Sequence, residues 1–204
     1  FGRFGQIVGR VLRMRKIRFT ALESSVSQVD FVRRFGNQVY YGDASRLELL
    51  TAAGLERAEI FVLAIDDIDA SVRSAELVRA HFPHVKILAR ARNRQHAQHL
   101  MDLGIRYIVR ETYLSSLDLA RHTLEGLGMS RADAKLSIQR FDEHDQKTLQ
   151  LQRELRDDEQ KLIQSAQQAA RELEQLFEAD TRSDQSADDL AGELASSRSG
   201  TSGG

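Results

Sequence analysis

Two hydrophobic periods alternate along residues 1–110, and that alternation restricts the fold more than any other feature of the chain. Short β-branched or aromatic runs stand at 18–23, 39–41, 60–65, 85–91 and 106–109. Between them apolar residues recur at helical spacing: Phe4, Val8, Val11 and Leu12; Val29, Val32 and Phe35; Leu47, Leu50 and Ala53. Val72, Leu77 and Val78 continue the pattern, followed by Leu100 and Leu103. Strands that are almost continuously apolar, separated by helices, predict a parallel sheet covered on both faces. Right-handed crossovers then give a doubly wound α/β structure. Gly36, Gly54 and Gly104 stand where helices should stop, and Pro83 ends the fourth helix before its strand.

After residue 109 the strand signal ceases. Residues 112–128 read as a helix with Leu117, Ala120 and Leu124 on one face and Gly128 as its stop. A second helix starts near Ser130, with Asp133 at the capping-box position. Residues 149–179 are rich in Gln, Glu, Arg and Leu and lack Gly and Pro. There Leu155, Leu162, Ala166, Ala169, Leu173 and Leu176 form a heptad seam, spaced 7, 4, 3, 4 and 3. Residues 180–204 contain no aromatic side chain and are expected to be disordered.

Charge divides along the same line. Residues 1–139 carry 21 basic and 15 acidic side chains, and residues 140–204 carry 8 and 15. A basic globular part is thus followed by an acidic, differently built one. The absence of cysteine excludes a disulfide scaffold, a thiolate metal site and a cysteine nucleophile. No apolar run reaches the roughly 18 residues that span a bilayer. The chain opens at Phe1 without methionine or signal peptide and reads as a piece of something longer.

The opening Phe1-Gly2-Arg3-Phe4-Gly5, with Gly9 one turn on, is a glycine turn into a helix. Free N–H groups and the helix dipole at such a turn favour a phosphate. Eighteen residues past Gly5, Glu23 ends the next strand, where an acid accepts from both ribose hydroxyls and repels a 2′-phosphate. The strand before the turn and the first glycine of a G-x-G-x-x-G are not in this chain. Asp43 and Ala44 follow the third strand of the full fold, and Asp66 and Asp67 the fourth, at carboxyl ends that line a ligand crevice. Asp43 either orients the nucleotide or caps a helix beginning at Ser45. Asp66 and Asp67 are either crevice residues or acids favoured by the macrodipole.

Five segments in order resemble one family: Phe1-Gly2-Arg3-Phe4-Gly5-Gln6, Tyr41-Gly42-Asp43-Ala44, Ala64-Ile65-Asp66-Asp67, His81-Phe82-Pro83-His84 and Ala89-Arg90-Ala91-Arg92. They are similar to the cytoplasmic RCK/TrkA-N domain of Kef-type glutathione-regulated potassium-efflux proteins. Arg110-Glu111-Thr112 and Leu124-Glu125-Gly126-Leu127-Gly128 extend the match, and the acidic helical end resembles the KefB-like branch. The resemblance implies a Rossmann-like domain over 1–110, with its first strand missing from the chain, and a helical crossover or dimerisation segment over 111–148. An acidic amphipathic helix over 149–179 and a disordered tail over 180–204 complete the expected organisation. The expected nucleotide-binding residues are Gly2, Arg3, Phe4, Gly5, Glu23, Asp43, Ala44, Asp66, Asp67 and Arg90, for AMP or NAD(H).

The resemblance further implies a homodimer and a membrane-embedded potassium/proton antiporter half of the same full-length chain. It places this domain at the cytoplasmic face of the bacterial inner membrane, with a flavodoxin-like quinone oxidoreductase as soluble partner. Glutathione at the dimer interface holds the system closed, and bulky adducts open it. The positions similar to the family's glutathione contacts are Arg10 and Arg110, with Phe35 as the aromatic displaced on activation. A further contact, an asparagine in the KefC-like branch, falls at Asp145, whose carboxylate lacks the amide's donors.

Independent chemistry favours an anionic ligand. Arg3, Arg10, Arg13, Arg15, Lys16 and Arg18 place six positive charges in the first eighteen residues. Arg90, Arg92, Arg94, Arg106 and Arg110 form a second basic set. Guanidinium forks pair bidentately with carboxylates such as those of glutathione, although most exposed arginines merely complement helix ends. Nucleic acid is not expected, because no aromatic residues interleave the basic clusters. His96 and His99 at i, i+3 lack the carboxylate or cysteine that completes a metal set, so solvated or core-edge histidines are expected. No catalytic residue is expected. The rival reading, an NAD-dependent oxidoreductase fragment, needs a substrate domain and a positioned acid/base, and the chain offers helices and a polar tail instead.

Overall fold

A computed structural model describes residues 1–34, 39–155, 160–161 and 163–175. The chain divides into two compact units, Phe1–Ser116 and Leu117–Gly204. The first runs past the expected boundary at 110 and takes in the start of a helix.

In the first unit, α1 (Arg3–Met14), β1 (Leu22–Glu23), α2 (Val26–Arg34) and β2 (Tyr40–Tyr41) are followed by α3 (Leu47–Ala52) and a 3-10 turn at Leu55–Arg57. Then come β3 (Ile60–Leu63), α4 (Ile68–His81), β4 (Lys86–Ala91), α5 (Arg94–Asp102) and β5 (Tyr107–Arg110). All strand pairs are parallel, in the orders β1-β2 and β3-β4-β5. A doubly wound sheet of order 3-2-1-4-5-6 places its first strand between the strands seen here as β1 and β3. No strand joins those two among the described residues. Ile60 and Val62 of β3 are accordingly exposed, and the expected strand at 18–23 contracts to two residues.

Packing follows the periodicity. Leu63, Ala75, Val78, Ala91, Ala97 and Leu100 are fully buried where α4 and α5 cover β3–β5. A second core forms from Ala21, Val29 and Val39, with Phe1 and Phe19 packed against it. Phe1 and Phe19 stack with centroids 6.3 Å apart. The buried face of α1 is glycine at positions 5 and 9 because the aromatic pair lies against it: a Cβ on Gly9 would stand 2.7 Å from Phe1 Cζ and 3.1 Å from Phe19 Cζ. Gly104 ends α5 with φ 76°, as expected of a helix-stopping glycine. Pro83 follows the close of α4 at Phe82. Gly36 lies outside the described residues.

The second unit contains most of α6 (Tyr113–Gly126), in which no residue is buried, and all of α7 (Arg131–Glu154). Ser130 caps α7, its hydroxyl accepting from Asp133 N–H at 3.2 Å. Ala134 and Leu149 are buried, and Ile138, Phe141, Asp145, Gln152 and Leu155 half-buried on one heptad-spaced face. α7, which covers the start of the helix expected over 149–179, closes at Leu155 (φ −100°, ψ 4°); helix is found at 160–161 and 163–175, and residues 156–159 lie outside the described residues. His144 Nε2 lies 3.7 Å from Glu172, so residues 163–175 return alongside α7. Leu162, Leu176 and the tail 180–204 lie outside the described residues.

Candidate functional site

The carboxyl ends of the strands and the amino end of α1 converge in the first unit. Gly2 is the N-cap of α1; it supplies no side-chain cap, and the first turn contains no acid. The first intrahelical bond is donated by Gln6 to the Gly2 carbonyl, which leaves the earlier N–H groups to an outside acceptor. A Cβ on Gly2 would meet nothing within 4 Å, so space stands open before that end. An uncapped amino terminus of this kind attracts an anion. Arg3 is exposed beside it, and Gly5 is buried against Phe1.

Glu23 reaches the same place from the end of β1. Its Oε2 lies 2.6 Å from Phe1 N, and its Oε1 accepts from Ser25 N–H at 2.9 Å. Gly42 N–H donates to the Glu23 carbonyl at 2.9 Å, which brings the end of β2 alongside. Asp43 Oδ1 accepts from Ser45 N–H at 2.8 Å and closes the turn that holds Ala44. The Ser45 backbone and hydroxyl, aided by Arg73 and Arg46, hold the Asp43 carboxyl below its ordinary range. The helix it was expected to cap starts later, at Leu47.

Arg90, near the end of β4, knits this mouth together. Only 5% of it is exposed. Its Nη1 donates to Asp66 Oδ1 at the end of β3, its Nη2 to Glu111 at the end of β5, and its guanidinium lies 5.7 Å from the Phe4 ring centre. Burial works against the charge, but the bonds from Glu111 and Asp66 outweigh it and raise the pKa. Arg90 Nε is buried without a partner. One guanidinium thus ties the first turn of α1 to three strand ends. Asp67 does something else: it is the N-cap of α4, accepting from Ala70 N–H at 2.7 Å.

Beside this cluster a depression of about 570 Å³ is lined by Asp66, Asp67, Asp69, Arg92, Asn93 and His99, with His96 at its base. His96 is fully buried, unlike the solvated or core-edge side chain expected. Its Nδ1 accepts from Arg92 N–H at 3.2 Å, so Nε2 carries the proton and donates to Ser71 Oγ at 3.1 Å. Burial, with His99, Arg90 and Arg92 nearby, pushes its pKa down. Among the described residues no group of three His, Cys, Asp or Glu is placed to hold a metal.

The four expected glutathione positions are distributed differently. Arg10 is exposed on α1 and Arg110 lies at the end of β5, both in the first unit. Asp145 is half-buried on α7 in the second unit, and Phe35 lies outside the described residues. Two residues given no role in the sequence reading contact expected site residues. Glu111 partners Arg90, and Tyr113 lies under Arg110, whose guanidinium is 3.7 Å from the ring centre. The signal for Glu111 was its position one residue past β5, level with the other strand ends.

Comparison with known proteins bears on the fold and the family. Residues 1–111 match the TrkA-N domain, and residues 115–191 match the potassium efflux system KefB C-terminal domain. The Shewanella denitrificans Kef CTD, solved in AMP-bound form, is 39% identical with a TM-score of 0.69, covering 76% of this chain and 94% of that one. The TrkA-N domain of the Escherichia coli inner membrane protein ybaL is 28% identical with a TM-score of 0.52, covering 62% and 90%. GsuK bound to ADP shares the fold at 24% identity and a TM-score of 0.51, covering 58% and 31%. This chain is therefore a member of the TrkA-N family, in the branch that carries the KefB C-terminal domain of potassium efflux systems.

Proposed function

We propose that this chain is the ligand-sensing regulatory domain of a glutathione-gated potassium-efflux system working by potassium/proton antiport. An adenine nucleotide sits with its phosphate on the first turn of α1 and its ribose hydroxyls on Glu23; Arg90 holds the mouth in shape. The observation that carries this reading is the uncapped amino end of α1 at the ends of parallel strands, with a carboxylate one strand away. The AMP in the Shewanella relative supports the same ligand class. Glutathione or its adducts bind through Arg10 and Arg110, with Phe35 and Asp145 as further contacts in a homodimer. Binding acts on transport only through different affinity for two states of that dimer.

The upstream antiporter half of the full-length chain receives the signal, which places the domain at the cytoplasmic face of the inner membrane. A flavodoxin-like quinone oxidoreductase is a candidate soluble partner. The domain itself performs no chemistry on its ligands. Among the described residues no helix is long and apolar enough to cross a membrane.

Calorimetric titration of AMP and, separately, NADH tests the nucleotide site. AMP is expected to bind, and Glu23→Ala to weaken it about tenfold, the worth of a hydrogen bond to a charged group. Absence of binding heat for both nucleotides overturns the reading.

A further inference from the structure

At the corner between β5 and α6 the backbone takes a form that β-branched residues avoid. Thr112 has φ 63°, in the left-handed region. Such a conformation persists only where its surroundings over-determine it, and it concentrates at ligand sites. Both sides of Thr112 are pinned. Before it, Glu111 N–H donates to the Ala91 carbonyl at 2.7 Å, and the Glu111 carboxylate is paired with Arg90. After it, the Thr112 carbonyl accepts from Ser115 Oγ and from Ser116 N–H, each at 2.8 Å.

The corner sends Glu111 to Arg90 and brings Tyr113 under Arg110. The guanidinium carbon of Arg110 lies 3.7 Å from the Tyr113 ring centre, a much closer stack than the 5.7 Å between Arg90 and Phe4. It is also well inside the ~6 Å reach of a cation–π contact. A guanidinium held against a ring has its plane set in advance. Its N–H groups point along that plane, as bidentate pairing with a carboxylate requires. Fixing that plane before the ligand arrives removes part of the ordering cost of binding.

We propose that Tyr113 is a positioning residue for Arg110, delivered by the strained turn at Thr112, in the recognition of a carboxylate-bearing ligand. The inference rests on the reading of Arg110 as a glutathione contact. Glutathione is titrated by calorimetry into the whole 204-residue chain and its variants, with AMP titrated in parallel. Arg110→Ala abolishes measurable glutathione binding. Tyr113→Leu weakens it ~3- to 30-fold, the span of a cation–π contact, while Tyr113→Phe stays within about twofold of the parent. AMP affinity is unchanged in all three. The positioning role is overturned, with the Arg110 contact intact, if Tyr113→Leu binds glutathione like the parent while Arg110→Ala does not. It is overturned equally if Tyr113→Phe falls as far as Tyr113→Leu, or if Tyr113→Leu loses AMP in proportion. Parent-like binding by Arg110→Ala, or no glutathione heat from the parent, removes the contact itself and the positioning role with it.

Discussion

Arg90 and His96 are the buried titratable side chains among the described residues, and each has its charge state set by geometry. Arg90 stays charged because Glu111 and Asp66 meet it, and the two partners are unequal. The Asp66 side chain is 71% exposed and that of Glu111 28%. Water already stabilises Asp66, so Asp66→Asn is expected to cost under about 1 kcal/mol. Glu111→Gln leaves a buried guanidinium short of its counter-charge and is expected to cost about 2 kcal/mol, below the full penalty for breaking a buried pair. Urea unfolding of the two variants checks the order. His96 behaves oppositely. Burial keeps the folded ring neutral, whereas the unfolded ring titrates near the usual 6.5. The stability it contributes is therefore complete above that pKa and is lost as pH falls below it, because only the unfolded chain takes up the proton. Thermal melting between pH 7.5 and 5.5 should show a falling Tm in the parent and a flatter profile in His96→Gln.

Local chemistry ends several elements of the first unit, and two non-glycine residues, Lys16 and Thr112, take positive φ at element ends. Asp67 and Asn93 cap α4 and α5, accepting from Ala70 N–H and His96 N–H. The junction of β5 and α6 has no glycine where positive φ is needed; it has Thr112. Relief of that strain is worth about 1–2 kcal/mol, against about 1 kcal/mol of extra chain entropy released by glycine on unfolding. Thr112→Gly is accordingly expected to hold or raise the midpoint of thermal unfolding, whereas most substitutions at helix junctions lower it. A fall of several degrees would show that the corner is not strained. The glycines of α1 carry a related lesson. Gly9 reads in sequence as part of a phosphate turn, but its place is against Phe1 and Phe19, where a side chain has no room. Gly2 stands at the open end of the helix.

At the scale of the whole chain, α6 is a 14-residue helix without a buried residue. Leu114 and Leu119 on α6 and Leu127 just past its end are 61%, 69% and 82% exposed. The homodimer proposed above would bury apolar surface of this kind. Sedimentation or light scattering should report twice the chain mass of 23.0 kDa for the parent. Leu119→Glu with Leu127→Glu should return it to the monomer mass without loss of helix signal. A parent that stays monomeric at all concentrations argues against dimerisation through this face.

The alternating periods were enough to establish the class of fold, the order of its elements and most helix stops, because period and glycine placement are local properties. The residues at strand ends were legible for a related reason: in a parallel sheet every carboxyl end faces one side, so position along the chain places a side chain at the mouth. What those residues do there was not legible. Asp66 and Asp67 are neighbours in sequence, yet one pairs with Arg90 and the other caps a helix. The parting of β1 from β3, the burial of His96, the close of α7 at Leu155 and the stacking of Arg110 on Tyr113 likewise appear only in three dimensions. Each depends on groups brought together by packing, and a carboxylate's or guanidinium's role is decided by the partner it meets and the water it loses.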